Sequence, residues 1–424
     1  MKNFLKFFVL VSLLILFSTG CGNASGDSTN DPSSGKDQVT LTFFSTITME
    51  PQKEVMASVV DQFEEENPEI VIDDNYPGGE YESMLRVKMA ANDMPDLFDT
   101  HGWAKKRYGE YVVDLSNMDW VDRLDPALDQ IFKDKDGKVY AYPLNQAKDG
   151  LIYNKTLLNN YGIDPPGTFE EFMAALEEIK EKSDGEVIPF WFAGSDKGAL
   201  AQYFDQFATP LLITHQDHNY EEELLNGNFD WSNYTFLAEK LLEMQQKGFI
   251  NKDVLTAQNH EMVSLMAQEK IGFVMGGLTG HDVEEMNPNV QLGIIPVPSI
   301  HEGGIPSWIG GERHTVAIWK DTDHPEEARK FVEFLSQPDI VKKIADGTSL
   351  PPGLTGVESD NYFATDYEAY SHVKVEPYFD RVYLPSGMWD VMGTTAQELL
   401  SGSLTPEEVS NTMDEEYNRL KEQK

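Results

Sequence analysis

From Val39 onward, short apolar runs of strand length alternate with longer segments whose apolar residues recur at helical spacing. This alternation constrains the chain more than any other feature. A strand followed by a helix of ten or more residues can return beside its predecessor, so repeated units predict a mostly parallel sheet covered by helices. Val39 to Phe44 alternates as a strand, and Pro51 to Glu66 sets Val55, Val59 and Phe63 on one helical face before Asn67-Pro68 ends it. Ile70-Val71-Ile72 is the next expected strand, Glu80 to Ala91 the next helix, and Leu97-Phe98 a short buried strand after Pro95. In open sheets of this kind, ligands bind in the crevice beyond the carboxyl ends of the strands.

Later segments continue the pattern. Asp136-Gly137 lies between Ile131-Phe132 and Val139-Tyr140-Ala141-Tyr142, a hairpin signal. Asp134 and Asp136 could also open a calcium loop, but the remaining ligands and its closing Glu are missing. Phe169 to Lys182 reads as a helix capped by Thr168, with Glu170 and Glu171 in the first turn where the dipole favours them. Thr235 to Lys247 is helical with Gly248 as its stop. Ile271 to Met275 and Gln291 to Pro298 read as strands, Pro325 to Ser336 as a helix, and Thr405 to Glu422 as another with Pro406 at its first position.

The chain has 424 residues, 40% of them hydrophobic. That exceeds the length at which one core stops growing, so two lobes are expected. The formal charge is -39, from 33 basic and 72 acidic residues. Such a field repels nucleic acid and anionic lipid head groups. Only seven residues are Arg, which disfavours a highly phosphorylated ligand. The one cysteine, Cys21, leaves no possibility of an intramolecular disulfide or a multi-thiolate metal site.

Lys2 and Lys6 precede an uncharged run from Phe7 to Phe17, then Ser18-Thr19-Gly20-Cys21-Gly22. That run suits a signal-peptide core but falls short of the roughly twenty residues a membrane-crossing helix needs. Small residues before Cys21 resemble a bacterial lipobox, although Ser18 stands where Leu is usual. An ordinary signal peptide ending at Gly20 is the alternative. Residues 1–20 are therefore expected to be a signal peptide. Residues 21–37, a lipidated Cys21 and a Gly/Ser/Asn/Asp-rich stretch with little to bury, are the expected tether. The expected location is the outer face of the bacterial cell membrane.

Val139 to Lys155 (VYAYPLNQAKDGLIYNK) joins a Y-x-Y-P turn to an apolar strand ending in Tyr153-Asn154-Lys155. With Met94 to Phe98 (MPDLF), Gly162 to Phe172 (GIDPPGTFEEF), Lys270 to Gly276 (KIGFVMG), Gly293 to Pro298 (GIIPVP) and Pro325 to Gln337 (PEEARKFVEFLSQ) before Leu350-Pro351-Pro352, it resembles the family 1 extracellular solute-binding proteins, in the family's order. The resemblance implies an α/β, two-lobe periplasmic-binding-protein-like fold of type II, with discontinuous lobes joined by a hinge. It places lobe one at 38–147 plus 303–350 and lobe two at 148–302 plus 351–424. It implies a carbohydrate receptor that closes around a mono- or oligosaccharide and delivers it to ABC transporter permease subunits. The chain is expected to be a monomer without cofactor, metal or enzymatic activity, held to the membrane through Cys21.

A sugar needs aromatic platforms beside a few groups that bond its hydroxyls. Trp103, with Asp99 and His101, lies in the loop after the PDLF strand that carries ligand contacts in maltose-type relatives. Asn145, Gln146, Lys148 and Asp149 fill the variable stretch that crosses the hinge in such relatives. Trp191 lies in a region whose aromatics stack on sugar, with the core an equal alternative for Trp191 and Phe192. Thr279 belongs to a ligand-facing turn. Trp308, Gly311, Glu312 and Arg313 combine an aromatic, a close backbone approach and a charged pair. Trp389 matches a C-terminal stacking aromatic of the maltose-type proteins. His215, Asp217 and His218 carry metal-capable side chains but read as a solvated loop.

Two other readings stay open. One is the same fold binding a glycerophosphodiester, polyamine or peptide. The other is a secreted glycosidase, for which Asp99, Asp149, Glu312 and Asp390 would have to supply a carboxylate pair. No G-x-S-x-G elbow or H-E-x-x-H motif is present.

Overall fold

The computed structural model describes residues 38–276 and 280–422, so Cys21, the tether and Thr279 lie outside the described residues. Its strands are β1 Val39–Phe44, β2 Ile70–Asn75, β3 Leu97–Phe98, β4 Tyr142–Pro143, β5 Gln146–Asp149, β6 Leu151–Asn154, β7 Ile188–Phe190, β8 Ile271–Met275, β9 Leu292–Ile295, β10 Trp308–Glu312, β11 Thr315–Ile318 and β12 Val375–Pro377. They form a five-stranded sheet in the order β2-β1-β3-β11-β4, a four-stranded sheet in the order β7-β8-β6-β9, and a three-stranded connecting sheet in the order β12-β10-β5.

The sheets are mixed rather than mostly parallel. β1 runs parallel to β2 and β3, but β11 runs antiparallel to β3 and β4. In the second sheet β7 and β8 are parallel, while β6 opposes both β8 and β9. The reason lies in the connecting sheet. β11 follows β10, and β6 follows β5, after two residues or fewer. Neither enters its sheet through a covering helix, so the right-handed crossover that enforces parallel pairing is missing.

The five-stranded and four-stranded sheets pack into separate cores. Leu41, Phe43, Phe63, Phe98, Phe331 and Ile344 belong to the first. The helix Pro325–Leu335 supplies Ala328, Phe331, Val332 and Leu335 from one face, and the Phe331 ring meets Phe63 edge-on at 4.9 Å. Truncating Phe331 to Ala should cost about 3–5 kcal/mol. The second sheet is covered on both faces. Leu151, Tyr153 and Phe273 enter a large core, while the alternate residues Ile152 and Val274 enter a smaller one with Trp191 and Trp308. That is the period-two geometry of a strand.

The Asp136-Gly137 turn forms, with Gly137 at φ 85° and a bridge between Lys133 and Val139, but its first arm is not a strand. Asp125 caps a helical turn by accepting from the Ala127 amide, and helical geometry then runs through Asp129–Phe132.

Candidate binding cleft

Two strands of the connecting sheet carry the chain between lobes. β5 is entered through Leu144-Asn145, and β10 leaves through Arg313-His314. Asn145 fastens the crossing. Its Oδ1 accepts from the His314 amide at 3.0 Å, and its carbonyl accepts from the Arg313 amide at 3.4 Å. Between the strands Gln146 stands opposite Glu312, and Lys148 opposite Gly310, a pairing that sends facing side chains to the same side.

Asp99, just past β3, is fully buried. Its carboxylate accepts from the Thr315 amide and hydroxyl, the His101 amide and the Thr46 hydroxyl, and lies 3.4 Å from His314 Nδ1. Burial alone would raise this carboxyl, but His314 and these bonds hold it below its ordinary value. Burial in turn pulls the His314 imidazole down, against the pull of Asp99. Asp99 thus anchors β11 to the loop ahead of it. His101 adopts φ 43° and sets its Nδ1 3.9 Å from Glu82.

Asp149 Oδ2 accepts from the Tyr378 hydroxyl at 2.7 Å and from Gln206 Nε2 at 3.4 Å, and lies 3.8 Å from Arg313. Glu312 is fully buried, with Oε1 accepting from Arg381 Nη1 at 3.1 Å. Burial pushes its carboxyl up to about 7 although Arg381 opposes the rise. Burial also lowers Lys148 from the usual ammonium range.

Gly102, Lys106, Ile131, Gly310, Tyr378 and Arg381 help to line a cavity of about 110 Å³ beside Glu312. Gly102 has φ 83°, and a Cβ there would lie 2.3 Å from Arg381 Nη1. The guanidinium therefore rests on bare backbone. Gly311, at φ 127°, gives Ile131 the same close approach.

Several buried polar atoms here have no hydrogen-bond partner among the described residues. They are Glu312 Oε2, both amide ends of Gln146, and Gln206 Oε1. Buried polar groups are paired in the great majority of cases, so such a cluster marks a place where hydrogen bonds are made to something else.

The structure thus gathers Asp99, Asn145, Gln146, Lys148, Asp149, Gly311, Glu312 and Arg313 around the connecting sheet. The tryptophans are placed differently. Trp103 is buried at the edge of the first core, with the Arg107 guanidinium 4.6 Å above its ring. Trp191 and Phe192 enter the two opposite cores of the second lobe. Trp308 donates from Nε1 to the Tyr370 carbonyl at 3.3 Å and packs against Tyr367 and Tyr370. Trp389 is half-buried near the start of the helix Met388–Ser401, close to Gly198 on the helix Lys197–Leu212.

Tyr378, Arg381, Gln206 and His314 were missed by sequence reasoning. One signal was available, because Arg is scarce and four of the seven (Arg86, Arg107, Arg313 and Arg381) lie near this cleft. His215 and His218 do not stand alone in solvent. Both rest on His301, and the His218 and His301 rings stack 3.7 Å apart. Among the described residues no group of three His, Cys, Asp or Glu could hold a metal.

Two α/β lobes joined by a three-stranded sheet, with a polar cleft at the junction, define a two-lobe solute-binding protein. Residues 48–342 match the bacterial extracellular solute-binding proteins, and the chain belongs to that family. It is 52% identical over 418 residues to the melibiose/raffinose/stachyose-binding protein MelE of Bacillus subtilis, covering 98% of this chain and 97% of MelE. A sugar transporter of Bacillus licheniformis, solved in complex with stachyose, superposes with a TM-score of 0.85 at 63% identity, covering 90% of this chain and 100% of that one. The binding protein MsmE of Bacillus subtilis, solved in an open conformation, gives 0.86 at 54% identity, covering 91% and 98%. Proteins of this family carry solutes and do not transform them.

Proposed function

We propose that this chain is a lipid-anchored receptor for α-galactosides, which it delivers to an ABC importer by closing its lobes around the sugar. The sugar class is supported by MelE and by the stachyose complex, the two relatives above whose names carry a sugar. The observation that carries the site is the set of unpartnered buried atoms on Gln146, Gln206 and Glu312. Amide and carboxylate groups suit sugar hydroxyls, which both donate and accept.

In this reading Gln146, Lys148, Asp149, Gln206, Glu312, Tyr378 and Arg381 contact the ligand, and Asp99, Asn145 and Arg313 hold the strands that present them. Trp103 supports the Asp99–Gly102 loop from the first core, beneath Arg107. The lobes are 38–147 plus 303–350 and 148–302 plus 351–424; the separate cores support this division away from the crossings, where Ala147, Trp308 and Ile309 pack with the second lobe and Leu354 with the first. Residues 1–20 direct export, Cys21 bears the lipid, and 21–37 tether a monomeric receptor near its permease, raising the local concentration.

A melting-temperature screen tests the reading. Melibiose, raffinose and stachyose should raise the melting temperature, increasingly with the logarithm of ligand concentration, whereas spermidine and glycerophosphodiesters should not. A rise with those alone would replace the sugar reading.

A further inference from the structure

Two carboxyls meet inside the second lobe, behind the groups assigned to the ligand. Asp205 stands on the helix Lys197–Leu212 and is fully buried, and Asp380, in the short helix Phe379–Tyr383, is 5% exposed. The Asp380 amide donates to Asp205 Oδ1 at 2.8 Å, and the two side chains lie within hydrogen-bonding reach of each other. As carboxylates, however, Asp205 Oδ2 and Asp380 Oδ1 have no hydrogen-bond partner among the described residues. Two ionised carboxylates cannot bond each other, because neither carries a hydrogen. Burying both charges together is also costly, and groups so placed hold a proton instead.

One proton removes both difficulties. A protonated Asp205 accepts the Asp380 amide on Oδ1 and donates from Oδ2 to Asp380 Oδ1, which leaves a single negative charge on the pair. Arg381 faces both carboxyls, Tyr234 faces Asp205 from the turn Trp231–Tyr234, and His101 and Lys106 lie on the Asp380 side. Burial outweighs these cations and raises both carboxyls. Each member of the pair adjoins a residue of the cleft. Gln206, next to Asp205, donates to Asp149 Oδ2 and keeps its Oε1 unpaired, and Arg381, next to Asp380, holds Glu312.

We propose that Asp205 and Asp380 share one proton and act as a positioning pair, clamping their two helices so that Gln206 and Arg381 are presented to the ligand. The positioning role rests on the α-galactoside reading, whereas the shared proton does not.

Asp205→Asn and Asp205→Ala separate the possibilities. The Asn side chain reproduces the protonated acid at the same net charge, with Oδ1 to accept the amide and Nδ2 to donate to Asp380. The Ala side chain leaves Asp380 a lone buried carboxylate. In raffinose titrations at about pH 8, Asp205→Asn should bind within about twofold of the native chain and Asp205→Ala about tenfold more weakly or worse. Two further measurements need no sugar and do not depend on Asp205→Ala folding. The folded pair keeps a proton that the unfolded chain loses above the ordinary carboxylate range, so the native melting temperature should fall with rising pH more steeply than that of Asp205→Asn. Infrared difference spectra at about pH 8, above the Glu312 value, should show a protonated-carboxyl band in the native chain that Asp205→Asn lacks. Equal pH slopes with no such band, or Asp205→Asn binding as poorly as Asp205→Ala, overturns the shared proton. Native affinity in Asp205→Ala overturns the positioning role. If the band and slope are present but the native chain binds no sugar, the receptor reading falls with the positioning role, and the shared proton stands.

Discussion

Glu312 and Arg381 meet at 3.1 Å across 69 residues of sequence, and only one of the two Glu312 oxygens takes part. The pair ties the end of β10 to the short helix Phe379–Tyr383. Arg381→Met should lower unfolding stability by about 1–3 kcal/mol, less than a buried ion pair usually loses, because Glu312 can take up a proton instead. Glu312→Gln should cost less. Urea denaturation of both variants and their double mutant measures the coupling.

The Glu312 carboxyl also makes stability depend on pH. It ionises near 4.5 when unfolded and at about 7 when folded. Between those values the folded state keeps a proton that the unfolded state has lost, so its contribution falls as pH rises through that window. The upper bound is roughly 3 kcal/mol. Asp205 and Asp380 act in the same direction, since burial raises both carboxyls and the Asp380 charge raises Asp205 further, against the Asp380 amide that donates to Asp205 Oδ1 at 2.8 Å. Glu312→Gln should show a shallower fall in melting temperature between about pH 5 and pH 7.5. An unchanged slope would place the titration elsewhere.

Gly102→Ala should weaken sugar binding by displacing Arg381, because its Cβ would overlap the guanidinium and its φ of 83° strains any L side chain. Arg381→Met should relieve most of the steric part, so the double variant should bind no worse than Arg381→Met alone. Additive losses in titration would contradict that account.

Cys21→Ala should release the protein from the membrane fraction and leave sugar affinity unchanged. Fractionation of cells followed by titration of the soluble protein checks both. A fall in affinity would give the anchor a role in binding.

Local signals were legible. Thr168 and Glu171 form the capping box that starts the helix Phe169–Lys182, and Pro325 and Pro406 open their helices. The PDLF and YNK strands lie where apolar runs place them, because burial on both faces leaves a continuous apolar stretch. Strand direction was not legible, since it depends on how β6 and β11 leave the connecting sheet. Nor was the destination of the tryptophans. Trp308 reads as a site residue beside Gly310 and Glu312, yet its indole is satisfied by Tyr370, which lies far along the chain. Arg381 was invisible for the same reason, because its partner is set by the fold and not by its neighbours.

The central claim is that buried polar atoms of the connecting sheet are paired by a sugar. Calorimetric titration of the native chain and Gln146→Leu with raffinose tests it most directly. The native protein should bind saturably at one site. Gln146→Leu should bind about tenfold more weakly or worse, while its unliganded melting temperature holds or rises because an unpaired buried amide is gone. Equal affinity in the two proteins, or no binding by the native chain, would contradict the claim.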